Sequence, residues 1–180
     1  MNESQLEMSV MELFGQEGYE YIHGESLFRE SSDVLLREDL KAYLLSRYSA
    51  DGMTETEAES IILSLVRSSH DPLYDANREM LHKITEGFIF RREDKTKKDL
   101  FIRLIDFETP KNNLFKVVNQ FEVQGMECLR IPDAVVFING LPLVVIEFKS
   151  ATRENAPIFI AYEQLTVRYT RTIPDLFNYN

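Results

Sequence analysis

The chain has 180 residues, 44% apolar and 11% aromatic, and its 20 Lys and Arg against 30 Asp and Glu leave a formal charge of −10. That suffices for one domain with a sizeable core and excludes a mainly disordered segment. The single Cys128, the strand-sized apolar runs and the acids Glu3, Glu7, Glu12, Glu17 and Glu20 exclude a disulfide framework, a transmembrane helix and a signal peptide, so a soluble cytoplasmic protein is expected.

Residues 1–85 read as helical. Leu6, Val10, Leu13 and Phe14 recur at helical spacing, and Gly15 and Gly18 punctuate the end. Asp33 is a plausible N-cap for a helix over Val34 to Tyr48, with Leu36, Leu40, Tyr43 and Leu44 on one side. Thr54 followed by Glu57 has the spacing of a capping box before Ile61, Ile62, Leu65 and Val66. Asp71-Pro72 starts a fourth helix running to about Ile84.

From Phe88 the pattern becomes strand-like. Phe88-Ile89-Phe90 is short and apolar, and Glu93 to Asp99 is a charged turn holding Lys95, Lys97 and Lys98. Leu100 to Asp106 and Phe115 to Val123 read as strands, separated by a loop at Thr109 to Asn113. Ala134 to Ile138 and Leu143 to Phe148 are dense in β-branched residues and flank Asn139-Gly140, a strong hairpin signal. Pro157 to about Thr170 reads as a helix, Ile173-Pro174 ends it, and Leu176-Phe177 begins another strand. Because the chain stops just past that expected strand, it reads as a fragment of a longer protein. The expected class is α/β: one domain with a helical part over 1–85 and a core of sheet and helix over 86–180.

Chemistry concentrates between Pro132-Asp133 and Glu147-Phe148-Lys149. Two acids and a lysine end neighbouring strands, far from the turn. Hard Mg²⁺ needs oxygen ligands, which the Asp133 and Glu147 carboxylates and the Phe148 carbonyl supply. Such an ion polarises a phosphate oxygen and acidifies its bound water, while Lys149 orients that water or stabilises charge developing on the phosphate. So short a pattern also arises by chance. An Asp before a strand is commonly a turn residue, and a Glu/Lys pair at strand spacing is commonly a solvated face. Against that, Glu147 and Lys149 end the most apolar run in the chain, where charge is unfavourable unless employed.

The stretch from Arg130 to Lys149 resembles the nuclease core of type I restriction enzyme R subunits, which carry an Arg-Pro-Asp, an Asn-Gly-Leu-Pro-Leu turn and a Glu-x-Lys in this order. Here these are Arg130-Ile131-Pro132-Asp133, Asn139-Gly140-Leu141-Pro142-Leu143 and Glu147-Phe148-Lys149, with Arg130 displaced by one residue. The likeness extends to Gly18-Tyr19, Ile105-Asp106-Phe107 with Pro110 and Asn113, Val118-Asn119-Gln120-Phe121, and Ile173-Pro174-Asp175-Leu176-Phe177, so it covers nearly the whole chain. The resemblance implies a PD-(D/E)xK restriction-endonuclease-like fold, with a central mixed β-sheet flanked by helices, and Mg²⁺-dependent cleavage of double-stranded DNA. It also implies an ATP-driven translocase in the same full-length polypeptide and partnership with methylation and specificity subunits. No Gly-x-x-x-x-Gly-Lys-Ser/Thr occurs here, so ATP would serve only a motor region outside this segment.

Many members of that nuclease class carry Gln-x-x-x-Tyr on the helix after the lysine. Here Gln164 is followed at i+4 by Arg168, and Tyr169 comes one later. Gln164 and Arg168 are expected on one helix face, with Gln164 contacting DNA or orienting the site, while Tyr169, one residue off that spacing, is expected either to support the site or simply to pack. Glu7 on the first helix is a possible extra acid, with a surface position the simpler expectation. Lys95, Lys97 and Lys98 read as a solvated loop, and His23, His70 and His82 lack metal-ligand spacing. A local basic patch of Arg130, Lys149, Arg153, Arg168 and Arg171 would offset the acidic field only near the cleft.

Strand register supplies a sharper expectation. A two-residue Asn139-Gly140 turn pairs Asp133 with Ile146 and turns it away from Glu147. A shared metal therefore requires a three-residue loop with Gly140 left-handed, or a bulge near Asp133. Two other readings stay open: a module on the same fold that holds DNA or a partner without cutting, and an interaction domain with an incidental motif.

Overall fold

The computed structural model describes residues 3–67, 72–149 and 157–180, so the readings made at His70, Asp71 and Arg153 fall outside the described residues. Helix α1, Glu3–Gln16, buries Met11 and packs Leu6, Val10 and Phe14 around it, whereas Leu13 is exposed. Gly18, at φ +90°, reverses the chain. Strand β1, Glu20–His23, follows inside the region read as helical. Its sequence is half polar and lacks a strand pattern of its own, but it pairs in parallel with Phe115–Asn119, so tertiary pairing decides its conformation.

Helix α2, Arg37–Arg47, starts later than an Asp33 cap requires. Asp33 instead forms an ion pair with Arg37, and the Leu36 N–H donates to the Gly140 carbonyl at 3.0 Å. A docked hairpin tip thus replaces the expected side-chain cap. Helix α3, Glu55–Arg67, has the capping box: Thr54 N–H donates to Glu57 Oε2 at 2.9 Å and Glu57 N–H to Thr54 Oγ1 at 3.2 Å. Helix α4, Leu73–Thr85, follows Pro72 and buries Ala76, Met80 and Ile84 at helical spacing.

Strands β2, Phe88–Phe90, and β3, Leu100–Ile102, form an antiparallel ribbon. The buried Arg92 ties this ribbon to the start of α3, donating to both Glu57 carboxylate oxygens and to the Asp51 and Gly52 carbonyls at 2.8–2.9 Å. β3 stops short of the expected Asp106 because the chain there wraps around that side chain. The Asp106 carboxylate accepts from Asn112 Nδ2 and the Thr109 N–H, both at 2.9 Å, and pairs with Arg47; these bonds, that of Asn112 foremost, hold it below the usual carboxylate range.

Strand β4, Phe115–Asn119, ends where Gln120 takes a left-handed φ of +49°, so the strand does not reach Val123. Val123–Gln124 (β5) pairs instead with Leu129–Arg130 (β6). β7, Ala134–Ile138, and β8, Leu141–Ile146, complete a mixed four-stranded sheet of order β1-β4-β7-β8, parallel only at β1–β4. The β7–β8 tip is pinned from three sides. Asn139 donates through Nδ2 to the Leu104 carbonyl at 2.9 Å and to Asn113 Oδ1 at 2.8 Å, and its Oδ1 accepts the Leu114 N–H at 2.7 Å.

Strand alternation divides the core between the two faces of the sheet. Val117, Ala134 and Val136 meet α1, while Val118, Val135 and Phe137 join the larger cluster with α2, α3 and α4. The C-terminal helix enters as α5, Pro157–Glu163, continues as a π-helical segment over Gln164–Tyr169 and ends as α6, Thr170–Thr172. Leu176 and Phe177 lie in a 3₁₀ helix, Pro174–Asn178, rather than the expected strand. Pro174 opens that turn without an N–H to offer a ladder, and the Phe177 carbonyl accepts from Asn77 Nδ2 at 3.0 Å. Among the described residues no helix is long and apolar enough to cross a membrane.

Candidate functional site

The hairpin turn has two residues, Asn139 and Gly140, with φ of +52° and +80°, so the expectation of a three-residue loop is corrected. The register shifts in mid-strand rather than near Asp133. Val136 pairs with Val144 but Phe137 with Pro142, which leaves Leu143 as an extra residue in β8. Pro142 is the local cause, having no N–H to give the ladder. The ladder ends at the Ala134–Ile146 pair, and the shifted register, continued one step, would put Asp133 opposite Glu147. By the same alternation both would share the face of Val135 and Val145, as a common site requires.

Both oxygens of Glu147, whose side chain is 4% exposed, are engaged. Oε1 accepts from Lys149 Nζ and from Gln164 Nε2, each at 2.6 Å, and Oε2 accepts from Tyr169 Oη at 3.3 Å. Gln164 Nε2 also donates to Tyr169 Oη at 2.7 Å. Lys149 Nζ makes a second bond, to the Phe148 carbonyl, at 3.0 Å. Asp133 Oδ2 accepts the Phe148 N–H at 2.7 Å. The structure thus gathers Asp133, Glu147, Phe148, Lys149, Gln164 and Tyr169 into one network.

The helix reaches this network by a local irregularity. In a regular α-helix Gln164 and Arg168 share a face, as expected above, and Tyr169 is turned away. The π-helical segment spans Gln164 to Tyr169, and its wider turn brings residues five apart together. Tyr169 therefore meets Gln164, while Arg168 is exposed. The residue by which this chain exceeds the Gln-x-x-x-Tyr spacing is absorbed in that turn.

Arg130 lies outside the network, its Nε donating to Thr172 Oγ1 at 3.2 Å. Glu7 is partly buried, and its Oε1 accepts from Asn119 Nδ2 at 2.8 Å and Gln120 Nε2 at 3.2 Å. Asn119 and Gln120 fall in the Val118–Phe121 stretch of the resemblance, where the sequence alone assigns them no role. The signal was there: an amide pair closing an apolar strand needs polar partners. His23 accepts the Glu25 N–H, and His82 pairs with Glu86, both away from this site.

Burial pushes the Asp133 carboxyl up to about 6, aided by the charges of Glu147 and Glu7 and opposed by the Phe148 N–H and Lys149. Burial likewise pushes the Tyr169 phenol up to about 12, so it stays a hydrogen-bond donor. A divalent cation fits this donor set. Lys149 already places one positive charge against Glu147 Oε1 and the Phe148 carbonyl, two of the three expected ligand groups. Among the described residues no three His, Cys, Asp or Glu side chains form a complete metal cluster. Two carboxylates and a carbonyl suit Mg²⁺, which keeps several waters and uses few protein ligands.

The family model for the N terminus of type I restriction enzyme R proteins matches residues 1–180. The chain is 30% identical over 190 residues to the type I restriction enzyme HindI endonuclease subunit of Haemophilus influenzae, an alignment covering 100% of the chain and 18% of that protein. It is 31% identical over 173 residues to a candidate MjaIXP endonuclease subunit of Methanocaldococcus jannaschii, covering 90% of the chain and 16% of the relative. A type I restriction enzyme endonuclease subunit of Staphylococcus aureus, SauCOLORF180P, is 25% identical over 180 residues, covering 99% of the chain and 18% of the relative. The chain thus spans less than a fifth of the length of these curated relatives.

Proposed function

We propose, from the premise that this chain belongs to the family of type I restriction enzyme R protein N termini, that it is the metal-dependent DNA endonuclease domain of a type I restriction-modification system, built on a PD-(D/E)xK fold. The observation that carries this reading is the bulge at Leu143, whose register, continued past Ala134–Ile146, would bring Asp133 opposite Glu147, to which Lys149 is bonded. A sheet built for stability alone gains nothing from an almost fully buried Glu147 at the strand end beside a second acid.

Asp133, Glu147 and the Phe148 carbonyl would hold Mg²⁺, which when bound polarises the scissile phosphate and acidifies water. Lys149 stabilises negative charge developing on the phosphate oxygens or orients the attacking water. Gln164 and Tyr169 fix both oxygens of Glu147, so that the carboxylate is aimed before DNA arrives. Glu7 adds negative charge near Asp133, and the exposed Arg168 is available to a DNA phosphate. Arg130, bonded to Thr172, supports the strand entering Asp133 and the helix end rather than the chemistry. The DNA would be delivered by an ATP-driven motor elsewhere in the polypeptide, within a complex with methylation and specificity subunits.

The test is cleavage of supercoiled plasmid by the enzyme assembled with its partner subunits, ATP and Mg²⁺. Glu147→Gln should abolish cutting and spare ATP hydrolysis. Cutting at the wild-type rate by Glu147→Gln would favour the alternative, a non-cutting module that holds DNA or a partner.

A further inference from the structure

One turn beside Asp133 makes two connections at once. Gln120, at φ +49°, adopts a conformation that costs a side-chain-bearing residue energy. Packing enforces it: a Cβ on Gly24 would stand 2.1 Å from the Gln120 carbonyl oxygen, so only glycine allows that approach. From this turn the Gln120 backbone N–H donates to the Asp133 carbonyl at 2.9 Å, and the Phe121 N–H to the Pro132 carbonyl at 3.2 Å. The side chains of Asn119 and Gln120 reach from the same turn to Glu7 Oε1. Asn119 is 4% exposed, and its Oδ1 has no hydrogen-bond partner. A buried amide with an unpaired oxygen weakens a fold, so stability does not account for it.

We infer that Asn119 and Gln120 are positioning residues, which hold the Glu7 carboxylate at the turn whose backbone bonds Asp133, so that its charge strengthens divalent-cation binding at the strand end. This rests on the metal-dependent reading of the Asp133 and Glu147 site. Glu7 acts by its field, because it does not complete a three-carboxylate cluster with those residues. The backbone bond to Asp133 and the side-chain bonds to Glu7 issue from one strained turn, so α1 and β7 are fixed relative to each other at the site. That coupling gives a role to the Asn-Gln pair.

The test is titration of the purified protein with Mn²⁺, following the free ion by electron paramagnetic resonance. Asn119→Val and Gln120→Asn should each weaken Mn²⁺ binding about tenfold, the scale of lost support around a metal site, without lowering the melting temperature. Gln120→Asn keeps a residue that tolerates the left-handed turn and removes only the reach, so it guards against failure of the valine variant to fold. On a Glu7→Gln background neither change should weaken binding further. Equal weakening on both backgrounds, or unchanged affinity, overturns the inference. Failure of the metal reading itself shows separately, as Mn²⁺ binding that Asp133→Asn leaves untouched. In that event the side-chain amide NMR signals of Asn119 and Gln120 still decide whether the pair holds Glu7. They shift on Glu7→Gln if it does, and their staying fixed refutes the positioning.

Discussion

Replacing Asp133 by asparagine should stabilise the metal-free protein. Burial raises this carboxyl from 3.8 to about 6. Two units correspond to a ceiling of about 3 kcal/mol, which partial exposure reduces to about 1–2 kcal/mol. The sign follows from linkage. The folded-state value lies above the unfolded one, so the penalty is absent below about pH 4, grows through about pH 6 and is complete above it. The substituted amide would keep an oxygen to accept the Phe148 N–H while losing the charge. Urea unfolding with chelator at pH 7.5 should therefore find the variant about 1–2 kcal/mol more stable, and the gap should shrink by roughly half at pH 5. Saturating Mg²⁺ or Mn²⁺ should then stabilise the wild type and not the variant. A variant less stable than wild type at pH 7.5, or a gap independent of pH, would show that Asp133 is a structural partner of Phe148 and not a strained acid.

Lys149→Met removes the ammonium that bridges Glu147 and Phe148, so Mn²⁺ binding by calorimetry should persist or tighten. Cleavage by the assembled enzyme should nevertheless fall by about 10²–10³-fold, as for loss of one charge-stabilising group. Tyr169→Phe should leave thermal stability within about 1 kcal/mol but free Glu147 Oε2, read as a fall in cleavage rate larger than any fall in DNA affinity. Gly140→Ala should destabilise the fold by about 3 kcal/mol or more in urea titration, because a Cβ there would stand 2.3 Å from the Leu36 carbonyl oxygen at φ +80°. Arg92→Leu should cost about 3–5 kcal/mol, since it strips the guanidinium from Glu57, which keeps only the Thr54 N–H, and from the Asp51 and Gly52 carbonyls.

The local signals in the sequence carried the elements that stand on their own chemistry. Thr54 and Glu57 specify the start of α3, Asn139-Gly140 specifies the turn, and β-branched alternation specifies β7. What escaped was set by partners distant in sequence. β1 is a strand because β4 lies beside it, and α2 starts at Arg37 because the hairpin tip docks on Leu36. The motif Ile105-Asp106-Phe107 with Asn113 was visible as part of a likeness, but its role in clasping Asn139 appears only in three dimensions.

The site was legible to the same depth. Asp133, Glu147 and Lys149 could be named, and the need for a register shift follows from alternation alone. Its location could not be read, because Pro142 relieves the ladder within β8 and not at the strand end. Helical periodicity paired Gln164 with Arg168, since nothing in the residues between announces a π turn. The buried Tyr169 hydroxyl, which needs a partner, selects that geometry.

Crystals of the protein grown with Mn²⁺ test the site directly through anomalous scattering. A single strong peak bound by the Asp133 and Glu147 carboxylates and the Phe148 carbonyl, with Lys149 Nζ displaced from Glu147, is the predicted result. Ordered Mn²⁺ elsewhere, with the Lys149–Glu147 and Phe148–Asp133 bonds intact at saturating metal, would contradict it.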